Sequence, residues 1–398
     1  MSNTNDLHQH PMISINPNPV VDSAYLIHSQ AQDVRLSCNE QIEQAAESLL
    51  PYLTTYSPLT WQTQPLHLLP ASTPSSNKCS LQFPKLKFNQ DDKACLDWIF
   101  FVSSLNFSFW SDLPSGERWG KEWYADGWKG LGGKKKRWEG YWGLLAVVNS
   151  ALENGHPLTD PSFYSSTNSA DLIKSLFAPT SPSKEEVPLL QDRLSILQKN
   201  GSILCSPSNN YNGSWAGFLE DFFSKDERRG ALDLVKEVVR VFESFRDEGL
   251  WKGEKVCFWK RAQILVAETW AAFYPSDSSI PHPIFPNGLG ELTMFPDYRV
   301  PQHLHTLKLL TYSPSLYETL SSHANLPHGS RLEMELRAGS IVAIEEVRKT
   351  LRRLRDGVDI ESVVLDFLIW DLAKEMEAKA AKEGGNLVEC HRTRSIYY

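Results

Sequence analysis

The sequence predicts a mainly α-helical protein with one core and a minor strand component. Three observations carry that expectation. Apolar residues in the second half recur at helical spacing over several long stretches, no strand–helix–strand alternation is visible, and no repeat with a period of about 20 to 50 residues is present. The 398 residues are 41% hydrophobic and 22% charged, enough for a sizeable buried core.

Taken in order, residues 1–30 read as a flexible tail, with residues 31–398 as one domain. A first helix is expected over Glu40–Leu50, where Ile42, Ala45, Ala46 and Leu49 mark one face. Ser72–Asn77 is Pro/Ser-rich and reads as a loop. Ala94–Trp110 is apolar and aromatic enough to be core or pocket wall. Ser115–Gly140 is rich in glycine and expected to be irregular, with its run Lys134–Arg137 a solvated loop. The second half is plainly helical. Leu189–Gln198 carries Leu190, Leu194 and Leu197 on one side and is expected to stop at Asn200-Gly201. Ala231–Phe245 shows a regular amphipathic stripe. Further helices are expected over Phe258–Ala272, Gln302–Leu310, Ser315–Ser322, Leu332–Leu354 and Ile360–Lys382.

Composition excludes several classes. Forty Lys and Arg stand against 48 Asp and Glu, a net charge of −8 with a pI of about 5.8. A protein that grips long nucleic acid has a basic face and a high domain pI. Any nucleotide handled here is therefore expected as a monomer, with no stable nucleic acid complex. The start lacks an apolar signal segment, and the most apolar run, Trp98–Val102, is far too short to span a bilayer. The expectation is a cytoplasmic, monomeric protein, with nuclear entry left open by Lys134–Arg137. Six scattered cysteines without a CxxC pair read as reduced and mostly buried, and three N-x-S sequons as unglycosylated. The phosphate loops of nucleotide-binding folds, H-E-x-x-H and G-x-S-x-G are missing. His303 and His305, two apart on a helix, point about 200° apart and not at one metal. Neither a cofactor nor a metal is expected.

Four segments do not look like generic core. Asp97–Phe101 and Leu105–Ser111 (LNFSFWS) place Asn106 and Ser108 inside an aromatic run, and buried polar groups need partners. In Phe258–Leu265, Lys260 and Arg261 open an apolar helix, either as snorkelling side chains or as pocket cations for an anionic substrate. Leu292–Gln302 holds Asp297 between two prolines and just before a helix, either as an N-cap or as a rigidly held functional carboxylate. Leu365–Asp371 puts Asp366 and Trp370 four apart on one helical face, with Asp371 beside them, as a solvated face or as a carboxylate meeting an indole.

Together these segments resemble the queuosine salvage protein family, the queuosine 5′-phosphate N-glycosylase/hydrolases. The resemblance rests on LNFSFWS at Leu105–Ser111, GYW at Gly140–Trp142, KRAQIL at Lys260–Leu265 and DYRVPQ at Asp297–Gln302, in family order. Met334–Ala338 and the ending His391–Tyr398 add to it, and it covers residues 34–398. It implies a fold like the helical, helix-hairpin-helix type DNA glycosylases, acting on a free nucleotide. The implied reaction releases queuine, a 7-deazaguanine base, for reinsertion into tRNA by a separate enzyme. It further implies Asp297 as the catalytic aspartate with Phe295 against the base, His67 (after Trp61) as a histidine in an N-terminal loop, and Asp366 and Asp371 as acids of the site. Trp370 and the Phe107–Trp110 cluster are expected to sandwich the ring, Asn106 to contact substrate, and Lys260, Arg261 or Arg299 to take the 5′-phosphate. Two departures stand out. Pro296 replaces the family's usual Ala, which stiffens the approach to Asp297, and Ser72–Asn89 and Ser115–Gly140 look longer than usual.

Overall fold

A computed structural model of the chain describes residues 18–53, 56–71, 86–129, 133–226, 228–277, 279–355, 360–383 and 388–398, with the side chains of 374–383 left aside. Helices dominate the described residues, and three two-stranded antiparallel ladders complete them. The first helices are α1 (Pro19–Ser29), α2 (Asn39–Leu53), α3 (Leu59–Thr63) and α4 (Gln90–Leu105). Then come α5 (Gly140–Glu153), α6 (Pro161–Tyr164), α7 (Ala170–Leu176), α8 (Leu190–Leu204), α9 (Trp215–Lys225) and α10 (Ala231–Val241). The last are α11 (Lys260–Ala272), α12 (Val300–Thr306), α13 (Pro314–Ser321), α14 (Arg331–Leu354) and α15 (Ser362–Glu383). Strand β1 (Val34–Leu36) pairs with β6 (Leu310–Tyr312), β2 (Gly120–Tyr124) with β3 (Lys135–Glu139), and β4 (Glu248–Trp251) with β5 (Glu254–Cys257).

Every residue of α11 is buried, so this helix forms the centre, against α4, α10 and α3. A helix apolar or buried on all sides belongs inside a core. Its long companion α14 packs against α1, α2, α12 and α15. Local chemistry sets the helix starts. Asn89, Ser214 and Ser313 accept backbone N–H groups of the first turns of α4, α9 and α13 with their side chains, satisfying donors the helix leaves unpaired.

The structure departs from the sequence expectations at four places. Pro19–Ser29, within the expected tail, is helical: Asn18 caps it, Pro19 occupies the first turn, and Val20, Val21, Ala24 and Ile27 are buried against α14. Asn18-Pro19 is a helix-start signal that a polar surrounding obscures. Residues 1–17 lie outside the described residues, as does the Ser72–Asn77 loop. Helix α8 runs through Asn200-Gly201 rather than stopping there. Gly201 passes so close to Tyr164 and the Pro161 carbonyl that a Cβ would collide, and Asn200 is buried with Ser104 and Ser244 as partners. These two residues serve helix packing. The third departure is the glycine-rich stretch, whose ends pair as β2 and β3. Within it Lys136 lies 3.6 Å over the Trp138 ring, and Arg137 donates to the Arg118 carbonyl. Lastly, the Gln302–Leu310 helix is the shorter α12, ending at Thr306 so that Leu310 can enter β6.

Candidate active site

The helices enclose a cavity of about 550 Å³ whose walls come from α4's end, α5, α11, the Phe295–Arg299 segment, α15 and the chain's last residues. The wall after α4 is held by two buried arginines. Arg193 donates to the carbonyls of Leu105 and Phe107, and Arg261 to those of Ser103, Ser104 and Ser244. Cations at a helix C-terminus meet its unpaired carbonyls, so the Asn106–Ser111 wall is fixed from behind. From the other side the end of the chain clamps it. Ser108 has φ 53°; its hydroxyl donates to the Ser395 carbonyl and its N–H to the Tyr398 carbonyl, at 2.8 and 2.9 Å.

Along α11, Lys260, Ile264 and Glu268 recur every four residues and all face the cavity. Glu268 accepts the hydroxyls of Tyr141 (3.0 Å) and Ser103 (3.1 Å), and burial pushes its carboxyl up to about 7. Burial lowers the Lys260 ammonium, opposed first by the Asp297 carboxylate. Lys260 Nζ lies 4.0 Å from Asp297 Oδ2.

Asp297 sits in the turn that enters α12, two residues before its N-cap Arg299. Its Oδ1 accepts the backbone N–H groups of Arg299 (2.7 Å) and Val300 (2.9 Å) at the start of α12. Its Oδ2 faces Lys260. These two backbone donors hold the carboxylate in place.

On α15, Asp366 Oδ1 accepts the Phe295 N–H at 3.0 Å, which seats Phe295 in the cavity wall. Burial pushes the Asp366 carboxyl up to about 8; the Phe295 N–H works against that, and the Asp297 charge adds to it. Asp366 thus carries a proton at neutral pH. One turn on, the Trp370 ring lies 5.9 Å from that of Trp142, and Asp371 accepts the Tyr56 hydroxyl at 3.4 Å. His67 completes the aromatic end: its ring is 4.1 Å from Trp61 and 6.0 Å from Trp142, with Nδ1 2.8 Å from the Trp61 carbonyl.

With this geometry in view, the chain matches the queuosine salvage protein family over residues 86–398. It belongs to that family. Three relatives are named queuosine 5′-phosphate N-glycosylase/hydrolase. The one from Schizosaccharomyces pombe is 38% identical, covering 77% of this chain and 84% of the relative. The Sphaerobacter thermophilus protein is 36% identical over 79% and 84%, and that of Nematostella vectensis 34% identical over 95% and 97%.

Of the residues expected in the site of this queuosine salvage family member, His67, Asn106, Lys260, Phe295, Asp297, Arg299, Asp366, Trp370 and Asp371 all line one cavity. Arg261 does not. Its guanidinium turns into the core to hold carbonyls, because Lys260 and Arg261 are neighbours on a helix and leave it about 100° apart. Sequence reasoning missed Glu268, Tyr141 and Tyr56. The signal for Glu268 was present, eight residues after Lys260 and so on the same face. Among the described residues no cluster of metal-ligating side chains occurs, and no helix is long and apolar enough to cross a membrane.

Proposed function

We propose that this chain hydrolyses the N-glycosidic bond of queuosine 5′-phosphate and releases queuine. The observation that carries the reading is Asp297, clamped through one oxygen and presenting the other to Lys260 in a cavity large enough for a nucleotide. Cleaving C1′ from the base leaves positive charge on the ribose, which a fixed carboxylate stabilises while water adds its oxygen to C1′. The bonding pair leaves with the base. A 7-deazapurine has no N7 to receive a proton, so the site must supply one elsewhere on the base or hold the anion. Asp366, protonated at neutral pH and in contact with the Phe295 N–H, is assigned as that donor, and the proton lost by water passes to Asp297. Preorganised charge in a water-poor site is worth about 10²–10³-fold per group.

Phe295, Trp142 and Trp370 supply ring faces for the base, and Arg299, two residues from Asp297 on the same wall, is assigned the 5′-phosphate. Lys260 balances Asp297. A net charge of −8 supports a free nucleotide over a polymer substrate, and a monomer is the assigned state. The family resemblance supports reading the helical frame as kin to helix-hairpin-helix DNA glycosylases, with α1 onward as one domain.

The test is to incubate the protein with queuosine 5′-phosphate, with queuosine, and with tRNA containing queuosine, and to follow queuine by mass spectrometry. Release from the nucleotide is expected. Release from tRNA alone would replace the reading with a polymer glycosylase, and no release by a folded protein would remove it.

A further inference from the structure

Lys260 and Asp297 come from elements that have no sequence contact, yet their side chains stand 4.0 Å apart. Behind them runs a continuous buried bridge. From α14, Arg337 donates through Nε to the Pro296 carbonyl at 3.1 Å, one peptide away from Asp297. Its two terminal nitrogens donate to both oxygens of Asp247 at 3.0 and 2.5 Å. Asp247 Oδ2 accepts the Lys260 N–H at 3.3 Å, and its carbonyl accepts the N–H groups of Phe258 and Trp259 at 2.9 and 3.4 Å. Trp259, the residue before Lys260, is held at φ 48°, a left-handed conformation that costs free energy for a bulky side chain and survives only where surroundings impose it. Arg337, Asp247 and Glu333, which also takes Arg337 at 3.3 Å, are 0, 1 and 0% exposed. The Arg337 guanidinium is further enclosed between the rings of Phe258 and Tyr398, 4.0 and 4.2 Å away.

We propose that Arg337 and Asp247 are positioning residues for the reaction: the bridge Pro296–Arg337–Asp247–Lys260 sets the separation of Lys260 from Asp297. This rests on the role assigned to Asp297 above. Neither residue lines the cavity, so neither touches substrate. A planar guanidinium is required. Only a fork with fixed spacing reaches a carboxylate on one edge and a carbonyl on the other, and a lysine ammonium in its place loses one of the two. Burial makes the bridge rigid, since breaking it strands a charge.

The experiment uses Arg337→Lys and the paired neutral replacement Arg337→Met with Asp247→Leu, which removes both charges of the bridge and leaves Glu333 to the Tyr398 hydroxyl and the Gly329 N–H. Crystal structures of both give the Lys260–Asp297 distance, and queuosine 5′-phosphate kinetics give kcat and KM. In variants with a wild-type helical circular dichroism spectrum, the separation is expected to lengthen or split into several conformers. The value of kcat is expected to fall about 10–100-fold with KM within about 3-fold, as a misplacement near 1 Å does. A role in stability alone would lower the melting temperature and leave kcat and the distance unchanged, which overturns the proposal, as does a loss confined to KM. Should Arg337→Lys fail to fold, the paired variant decides. The distance reads out independently of turnover, so an inactive wild type would count against the proposed reaction and not against the bridge.

Discussion

Asp366→Asn tests the protonation state that the site depends on. The folded carboxyl sits at about 8 against an ordinary value of 3.8. Between about pH 4 and pH 8 the folded chain therefore holds a proton that the unfolded chain has released. Stability falls as pH rises through that window and levels off above it. At roughly 1.4 kcal/mol per pH unit, the three units from pH 5 to pH 8 amount to about 4 kcal/mol, an upper bound because Lys260 and Asp297 readjust. Asparagine keeps the oxygen that accepts the Phe295 N–H and removes the titration. The variant should gain on the wild type by roughly 2–4 kcal/mol between pH 5 and pH 8, which for a chain of 398 residues is a few °C in melting temperature. Glu268 has the same sign of effect in both proteins and cancels in the difference. Turnover should fall about 10²-fold or more, since the amide has no acidic proton to give. Urea midpoints and thermal melts at pH 5, 6.5, 8 and 9 measure the stability gap. A gap that does not change with pH would refute the protonated Asp366 and, with it, its role as donor to the base.

Arg261→Lys should cost roughly 1–3 kcal/mol, because three buried carbonyls lose a shared partner. It should leave KM for the nucleotide unchanged, whereas Arg299→Ala should raise KM about 10-fold or more; reversed effects in steady-state kinetics would exchange the two assignments. Glu268→Gln places an amide against the Tyr141 and Ser103 hydroxyls, both of which donate to Glu268. Turnover is expected to drop about 10-fold, with loss of any ionisation near pH 7 in the kcat/KM profile; an unchanged profile would confine Glu268 to the scaffold.

The sequence disclosed the fold where one face of a helix repeats over three or more turns. Thus α10, α11, α14 and α15 fall within a few residues of their expected bounds. It failed where a short element depends on distant partners. Helix α1 has eleven residues and gains its burial from α14, more than 300 positions away. The β2–β3 hairpin has few apolar residues and is held by backbone pairing that glycine content alone does not announce. In the site, motif residues were legible because the family resemblance marks them. The partners of the Asp297 carboxylate were not legible, since one oxygen meets the Arg299 and Val300 N–H groups and the other faces Lys260 from a distant helix. Arg261 misled because adjacency to Lys260 in the chain is divergence on a helix. Asp247 and Arg337 were invisible as a pair, being 90 positions apart.

In the proposed reaction Asp297 stabilises the ribose cation and takes the proton that water loses. Asparagine preserves the Oδ1 that accepts the Arg299 and Val300 N–H groups, so Asp297→Asn should fold and bind as the wild type does. The most direct measurement is single-turnover release of queuine from queuosine 5′-phosphate by the two proteins, with substrate affinity measured alongside. The wild type is expected to release queuine, and Asp297→Asn to do so about 10²–10³-fold more slowly or worse at similar affinity, as the role of Asp297 requires. Equal rates in the two proteins would contradict it.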